Sequence, residues 1–168
     1  MPGGGDIDMG LIRSYTRFSD AELNEIYLQD STEDVVGFVN DLRDADPTIT
    51  VNIDKAFEAL GLMFDRAGLP VNPVVGQGSM PGDINFSEGI PNYMSPSYVA
   101  ATRDILAHMT FDTLLESTTI ADLTDQRIPP FLNWRNENVD YLRSKFAVMA
   151  EFIIRAADLN NHVVLELS

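Results

Sequence analysis

Few residues in this chain have a type and spacing that could do chemistry, and most of those lack some part of what that chemistry requires. Asp83, Asn85 and Ser87 stand at the spacing of the first three ligands of a calcium loop. The pattern then breaks, because Glu88 holds the position that needs glycine and Met94 the one that needs a bidentate glutamate. A turn held by side-chain-to-backbone hydrogen bonds is the expected use of this stretch. Gly76-Gln77-Gly78-Ser79-Met80-Pro81-Gly82 has the glycine content of a phosphate-cradling loop but neither its Gly-Lys-Ser/Thr ending nor the dinucleotide spacing. No helix is expected directly after it to offer an N-terminus to an anion. The two histidines, His108 and His162, are too few for a three-histidine zinc site, and no His-Glu-x-x-His occurs. His108, near the expected C-terminus of a helix, is explained there by a favourable charge–dipole interaction. The absence of cysteine removes thiolate metal sites, disulfides and thiol nucleophiles together. No Gly-x-Ser-x-Gly elbow singles out a nucleophilic serine. With 26 acidic residues, carboxylate pairs for acid–base work are too easily drawn to be informative. No metal and no cofactor is expected.

Binding is what remains. Trp134, the single tryptophan, stands beside Arg135 and follows Pro129-Pro130. Such a residue anchors the start of the helix behind it, and with Arg135 it offers a wall for a ligand or partner groove. Residues 69–93 lose all regularity, with four prolines and four glycines. A stretch this long inside a compact domain is either mobile or functional. If a small molecule or substrate binds under it, Asp83, Glu88, Asn92 and Tyr93 are the nearest polar groups, with Trp134 as a wall.

The charge favours a different class of function. Twenty-six acidic against 11 basic residues leave a net of −15. Such a chain repels phosphate backbones, so no nucleic-acid partner is expected. A basic protein partner is favoured through electrostatic steering, as for an immunity-type inhibitor or a regulator. This acidic interaction module is the leading functional expectation, against solubility alone as the bland one. A small-molecule site or enzyme under the 69–93 loop is the alternative. A purely oligomerising domain, a third class, would expose a large apolar patch. No apolar run approaches the roughly 18 residues of a membrane span, and the first residues do not read as a signal peptide. A cytoplasmic location is expected.

These residues must be positioned by helices more than by strands. Val139, Leu142, Phe146, Met149, Ile153 and Ala156 recur at helical spacing, and Tyr141, Val148 and Phe152 widen the stripe to about half the cylinder. The helix over about 136–160 is therefore expected to lie in a core, with Glu151 and Arg155 paired on its polar side. Ser19 and Glu22 form a capping box for a helix burying Leu23, Ile26 and Tyr27. Ser31 or Thr32 opens the next, which Asp46-Pro47 ends. Asp54 is expected to cap a helix carrying Phe57, Leu60, Met63 and Phe64, stopped at Gly68. Ser95-Pro96, Thr110 and Thr119 start three more. Residues 11–18 and 162–167 read as strands, and 49–53 as a short strand or extended lead-in. Six or seven helices packed with a small sheet made from strands near the two chain ends describe a single α+β domain. Residues 1–8, with three consecutive glycines, are expected to be a flexible extension ahead of a domain over 9–168.

Several segments resemble the YfbM-like bacterial proteins, a family built on domain of unknown function 1877. They are Met9-Gly10-Leu11-Ile12, Ile53-Asp54-Lys55-Ala56-Phe57-Glu58-Ala59-Leu60, Val75-Gly76, Ile128-Pro129, Trp134, the long helix, and Asn161-His162 with its strand. The resemblance spans about residues 9–168 and implies an α+β fold without an activity. The chain departs from the family where Phe57 replaces a frequent tryptophan and Gly61 a frequent histidine.

Overall fold

The two ends of the chain meet in one sheet. In the computed structural model, which describes residues 11–168, β1 (Arg13–Phe18) lies antiparallel to β4 (His162–Leu167). Arg13 is opposite Leu167 and Phe18 opposite His162. β2 (Thr50–Asn52) pairs with the outer side of β1 and β3 (Asn92–Met94) with the outer side of β4, giving the order β2-β1-β4-β3. The expected pairing of terminal strands is therefore present, and the sheet has one strand more than expected. Asn92 and Tyr93 do not close an irregular stretch but belong to an edge strand, too short at three residues to show an alternating pattern. The expected extension over 1–8 lies outside the described residues.

Alternation along the strands divides the helices between two faces. Tyr15, Val163 and Leu165 enter the larger core, which gathers α3 (Phe57–Arg66), α4 (Pro96–Leu106), α5 (Phe111–Ser117), α6 (Ile120–Asp125) and α7 (Asn136–Asp158). Phe18, Tyr93 and Val164 turn the other way, onto α1 (Asp20–Tyr27) and α2 (Thr32–Ala45). The result is three layers, with the sheet in the middle. The long helix α7 buries Leu142, Phe146, Met149, Phe152, Ile153 and Ala156, as its spacing predicts. Its Phe152 ring lies 6.1 Å from Tyr15, and its Phe146 lies 6.2 Å from Phe64 and 5.7 Å from Phe111. Each large side chain removed from water there contributes roughly 1.5–3 kcal/mol before entropy is charged.

Local signals in the sequence set most boundaries. Ser19 and Glu22 form the reciprocal box, and Ser31, Ser95, Thr110 and Thr119 each accept a backbone N–H at the start of a helix. Gly68 and Asn160 take the left-handed conformation that ends α3 and α7, at φ 68° and 54°.

Three expectations fail for physical reasons. Asp54 does not cap α3: it sits at φ 53° and opens a separate 3₁₀ turn over Asp54–Ala56. Its carboxylate instead accepts the Tyr141 hydroxyl at 3.1 Å. Tyr27 is not buried with Leu23 and Ile26, because its hydroxyl reaches out to donate to the Pro81 carbonyl at 2.9 Å. Glu151 and Arg155 form no ion pair among the described residues, although they lie one turn apart. Gly61 packs at 3.6 Å, measured from where a Cβ would stand, against Val74, so the 69–93 segment lies directly on α3 there.

Candidate functional site

The structure separates the residues singled out by sequence into three places. Glu88 and Asn92 line a hollow of about 270 Å³ at the end of the sheet, with Arg13 and Phe86 on its walls. Asp83 lies outside it, exposed at φ 53°. The 86–89 turn is closed by backbone bonds between Phe86 and Gly89, at 2.8 and 3.1 Å, and not by the side-chain bonds expected. Phe86 is buried under α1 and α2, which pins the segment to the sheet. Among the described residues no group of three or more histidines and carboxylates is placed to share a metal ion.

Trp134 is elsewhere, in the larger core. Its indole N–H donates to the Ile128 carbonyl at 2.7 Å and its backbone N–H to Thr124 at 2.8 Å, while Phe131 meets the ring edge-on at 4.9 Å. These bonds fix the 128–135 crossing, which contains the cis Pro129-Pro130 bond, against α6. The tryptophan does not line the hollow under the loop. Arg135 is exposed, and its backbone N–H donates to the Asn138 side chain at 2.9 Å, at the start of α7.

Tyr93 forms the third place, together with two residues that sequence reasoning did not connect to it. Its hydroxyl lies 2.6 Å from His162 Nδ1, and His162 Nε2 lies 2.5 Å from Asp20 Oδ1. Burial first, then nearby Tyr27 and Asp20, raises the Tyr93 phenol above its ordinary value. The Asp20 carboxylate only accepts, so Nε2 is the donor to it, and in the neutral imidazole Nδ1 then accepts from the phenol. A phenol made less acidic is poorly suited to act as a nucleophile or base. The chain of bonds joins three elements instead: Tyr93 on β3, His162 on β4 and Asp20 in the first turn of α1. Stacking of the Tyr93 and His162 rings at 5.8 Å adds to this tie. Asp20 stands 142 residues from His162, and no local signal could have paired them.

The outer helical layer carries the charge. Between Asp20 and Asp46 there are nine carboxylates and one cation, Arg43. All but Glu22 are exposed. Arg43 turns inward to the sheet, where it donates to Thr50 at 3.0 Å, Thr16 at 2.8 Å and Glu166 at 2.9 Å. The one positive charge of the layer is thus consumed by its attachment to β4, and the solvent-facing side of α1 and α2 is left acidic. Total charge alone does not show this run, which is contiguous in the sequence; what the structure adds is the inward turn of Arg43.

Among curated proteins, none matches this chain. A solved structure that does is the crystal structure of a protein of unknown function, YfbM from Escherichia coli. It is 18% identical, with a TM-score of 0.58, over 94% of this chain and 99% of that one, and so shares the fold. The model of the family described as "Domain of unknown function (DUF1877)" matches residues 9–166. The chain belongs to the DUF1877 family.

Proposed function

We propose that this protein is a cytoplasmic bacterial interaction module that recognises a basic protein partner through the acidic face of α1 and α2. The observation that supports this reading is the exposed run of carboxylates from Asp20 to Asp46, with its only cation turned into the protein. A face of one sign steers a partner of opposite sign and discriminates against like-charged surfaces, including nucleic acid. The layer behind the face is well anchored, by Phe18, Leu23, Ile26, Val35 and Val39 and by the Tyr93–His162–Asp20 chain. The lack of cysteine agrees with a cytoplasmic setting.

The test is co-purification from the native host at low and high salt, comparing the natural chain with Glu25→Gln/Glu33→Gln/Asp41→Asn/Asp44→Asn. A partner retained at low ionic strength and released near 1 M salt, where the screening length is about 3 Å, is the expected result. The neutralised variant should lose that partner while remaining folded, since each exposed change is worth within about 0.5 kcal/mol. A salt-indifferent monomer without a partner would remove the reading.

A second reading, a small-molecule site in the hollow beside Glu88 and Asn92, is favoured by one observation. Arg13 Nε is buried there without a hydrogen-bond partner among the described residues. Titration with small carboxylates, followed through the Arg13 Nε–H and Asn92 resonances, checks it, and unmoved resonances would dismiss it.

A further inference from the structure

A second, larger groove, of about 790 Å³, lies between α7 and the β1–β2 side of the sheet. Its volume falls within the roughly 300–1,000 Å³ typical of small-molecule sites. Val148 and Phe152 supply apolar surface, while Arg17, Arg155, Glu151, Asp46 and Asp158 supply charge of both signs. Among the described residues neither arginine has an ion-pair partner. Arg17 is only 9% exposed; one of its terminal nitrogens makes a long bond of 3.3 Å to Thr48, and its Nε has no partner. Arg17 thus keeps a buried donor unmade and no carboxylate within ion-pair distance among the described residues, with Asp46, bonded to the same Thr48, balancing its charge only at longer range. Glu151 and Arg155 stand one turn apart on α7 and line this groove without pairing to each other. Asp46 is lowered from the ordinary carboxylate value, chiefly by its hydrogen bonds from Thr48 and further by Arg17 and Arg155.

We propose that this groove binds a small zwitterion with an apolar body, of the α-amino-acid type. Its carboxylate is received by Arg17 and Arg155, its ammonium by Glu151 and Asp46, and its side chain by Phe152 and Val148. Three carboxylates line the groove, of which Asp158 faces Arg103 at 3.9 Å, leaving Asp46 and Glu151 against the two arginines. A simple anion would meet those carboxylates and a simple cation the two arginines; only a ligand carrying both charges satisfies both sets. The site meets the acidic face only at Asp46, and its test uses Arg155, Glu151 and Arg17, none of them in the run from Asp20 to Asp44, so its success or failure leaves the partner reading untouched.

Titration of the intact protein with L-leucine, L-methionine and L-phenylalanine, by calorimetry and by amide chemical shifts, tests the proposal. At least one should bind saturably, with a Kd of roughly 1 mM or tighter. For that ligand, the matching carboxylic acid without the amine and the matching amine without the carboxylate should each bind about tenfold more weakly or worse. Arg155→Gln and Glu151→Gln, both at exposed positions of α7, should weaken binding by about tenfold each with unchanged melting of the free protein. Arg17→Gln should do the same and serves as a third variant if its melting is also unchanged. No saturable binding of any of the three amino acids would overturn the proposal. So would equal binding of the singly charged analogues, or unaltered affinity in both Arg155→Gln and Glu151→Gln.

Discussion

Replacing Arg43 with methionine should destabilise the protein by about 3 kcal/mol, because it strips the cation from a largely buried carboxylate. Arg43 makes three bonds beneath α2: to Thr50, to Thr16 and to Glu166 Oε1 at 2.9 Å. The two threonine hydroxyls lie 3.0 Å apart and can still bond to one another, so their loss is small, below the usual ~1 kcal/mol per bond. Glu166 is the larger concern: its side chain is 10% exposed, and among the described residues Arg43 is its one ion-pair partner. Breaking a fully buried pair costs about 3–5 kcal/mol, and the 28% exposure of the Arg43 side chain places this one at the low end. For a chain of this size, about 3 kcal/mol corresponds to a fall in Tm of roughly 6–12 °C. The measurement is urea denaturation of the natural chain, Arg43→Met, Glu166→Gln and the double variant, with the slope confirmed constant. Glu166→Gln should cost less than Arg43→Met, because the guanidinium keeps both threonines and reaches solvent. The double variant should recover much of the loss, since no charge is then left unpaired. An Arg43→Met variant within about 0.5 kcal/mol of the natural chain, or a double variant showing the full sum of the singles, would refute this account.

Gly76→Ala should cost about 2 kcal/mol or more, because a Cβ there would stand 2.8 Å from the Tyr93 carbonyl at a φ of 77°. Gly68→Ala meets no neighbour at a φ of 68° and should cost only about 1 kcal/mol; equal losses by thermal melting would deny the steric part of the argument. Arg127→Gly should stabilise by about 0.5–1 kcal/mol, since Arg127 is exposed and holds a φ of 53° that glycine adopts without strain. Burial raises the Tyr15 phenol above its ordinary value near 10, so its contribution is complete below about pH 10 and is lost as pH rises through the range above. Tyr15→Phe should flatten that alkaline limb in melts between pH 8 and 11, while losing about 1 kcal/mol at neutral pH with its bond to the Pro73 carbonyl.

Helices were legible because their signals are local. Ser19 with Glu22, Ser95 with Pro96 and the stripe on α7 each lie within one or a few turns, and all three appear as read. The family resemblance and the terminal strand pair were legible as well, and with them the α+β class. What failed is what tertiary contact decides. Asp54 looks like a helix cap until Tyr141, 87 residues away, takes its carboxylate. Asn92–Met94 becomes a strand only because β4 offers an unpaired edge. The six candidate site residues were chosen by type and loop position, and folding scatters them: Glu88 and Asn92 share a hollow, Tyr93 joins His162, and Trp134 holds a chain crossing. The groove of Arg17 and Arg155 had no sequence signal, because its two arginines come from a central strand and a helix 138 positions apart in number.

The pairing of β1 with β4 also bears on how the chain is made. Phe18 meets His162 across 144 intervening steps of sequence, so the middle of the sheet is its least local contact. At synthesis rates of about 5–20 residues per second, β1 waits roughly 7–30 s for its partner to emerge. During that interval Tyr15 and Phe18, wholly buried in the finished molecule, lack β4 on one side, and the three-residue β2 on the other pairs with Ser14 to Thr16 only. The acidic helices α1 and α2 follow β1 directly and are made in the same interval. Their charge keeps half-made chains apart while the apolar strand beside them is still open, so the same carboxylates that would greet a partner also guard the protein's own assembly.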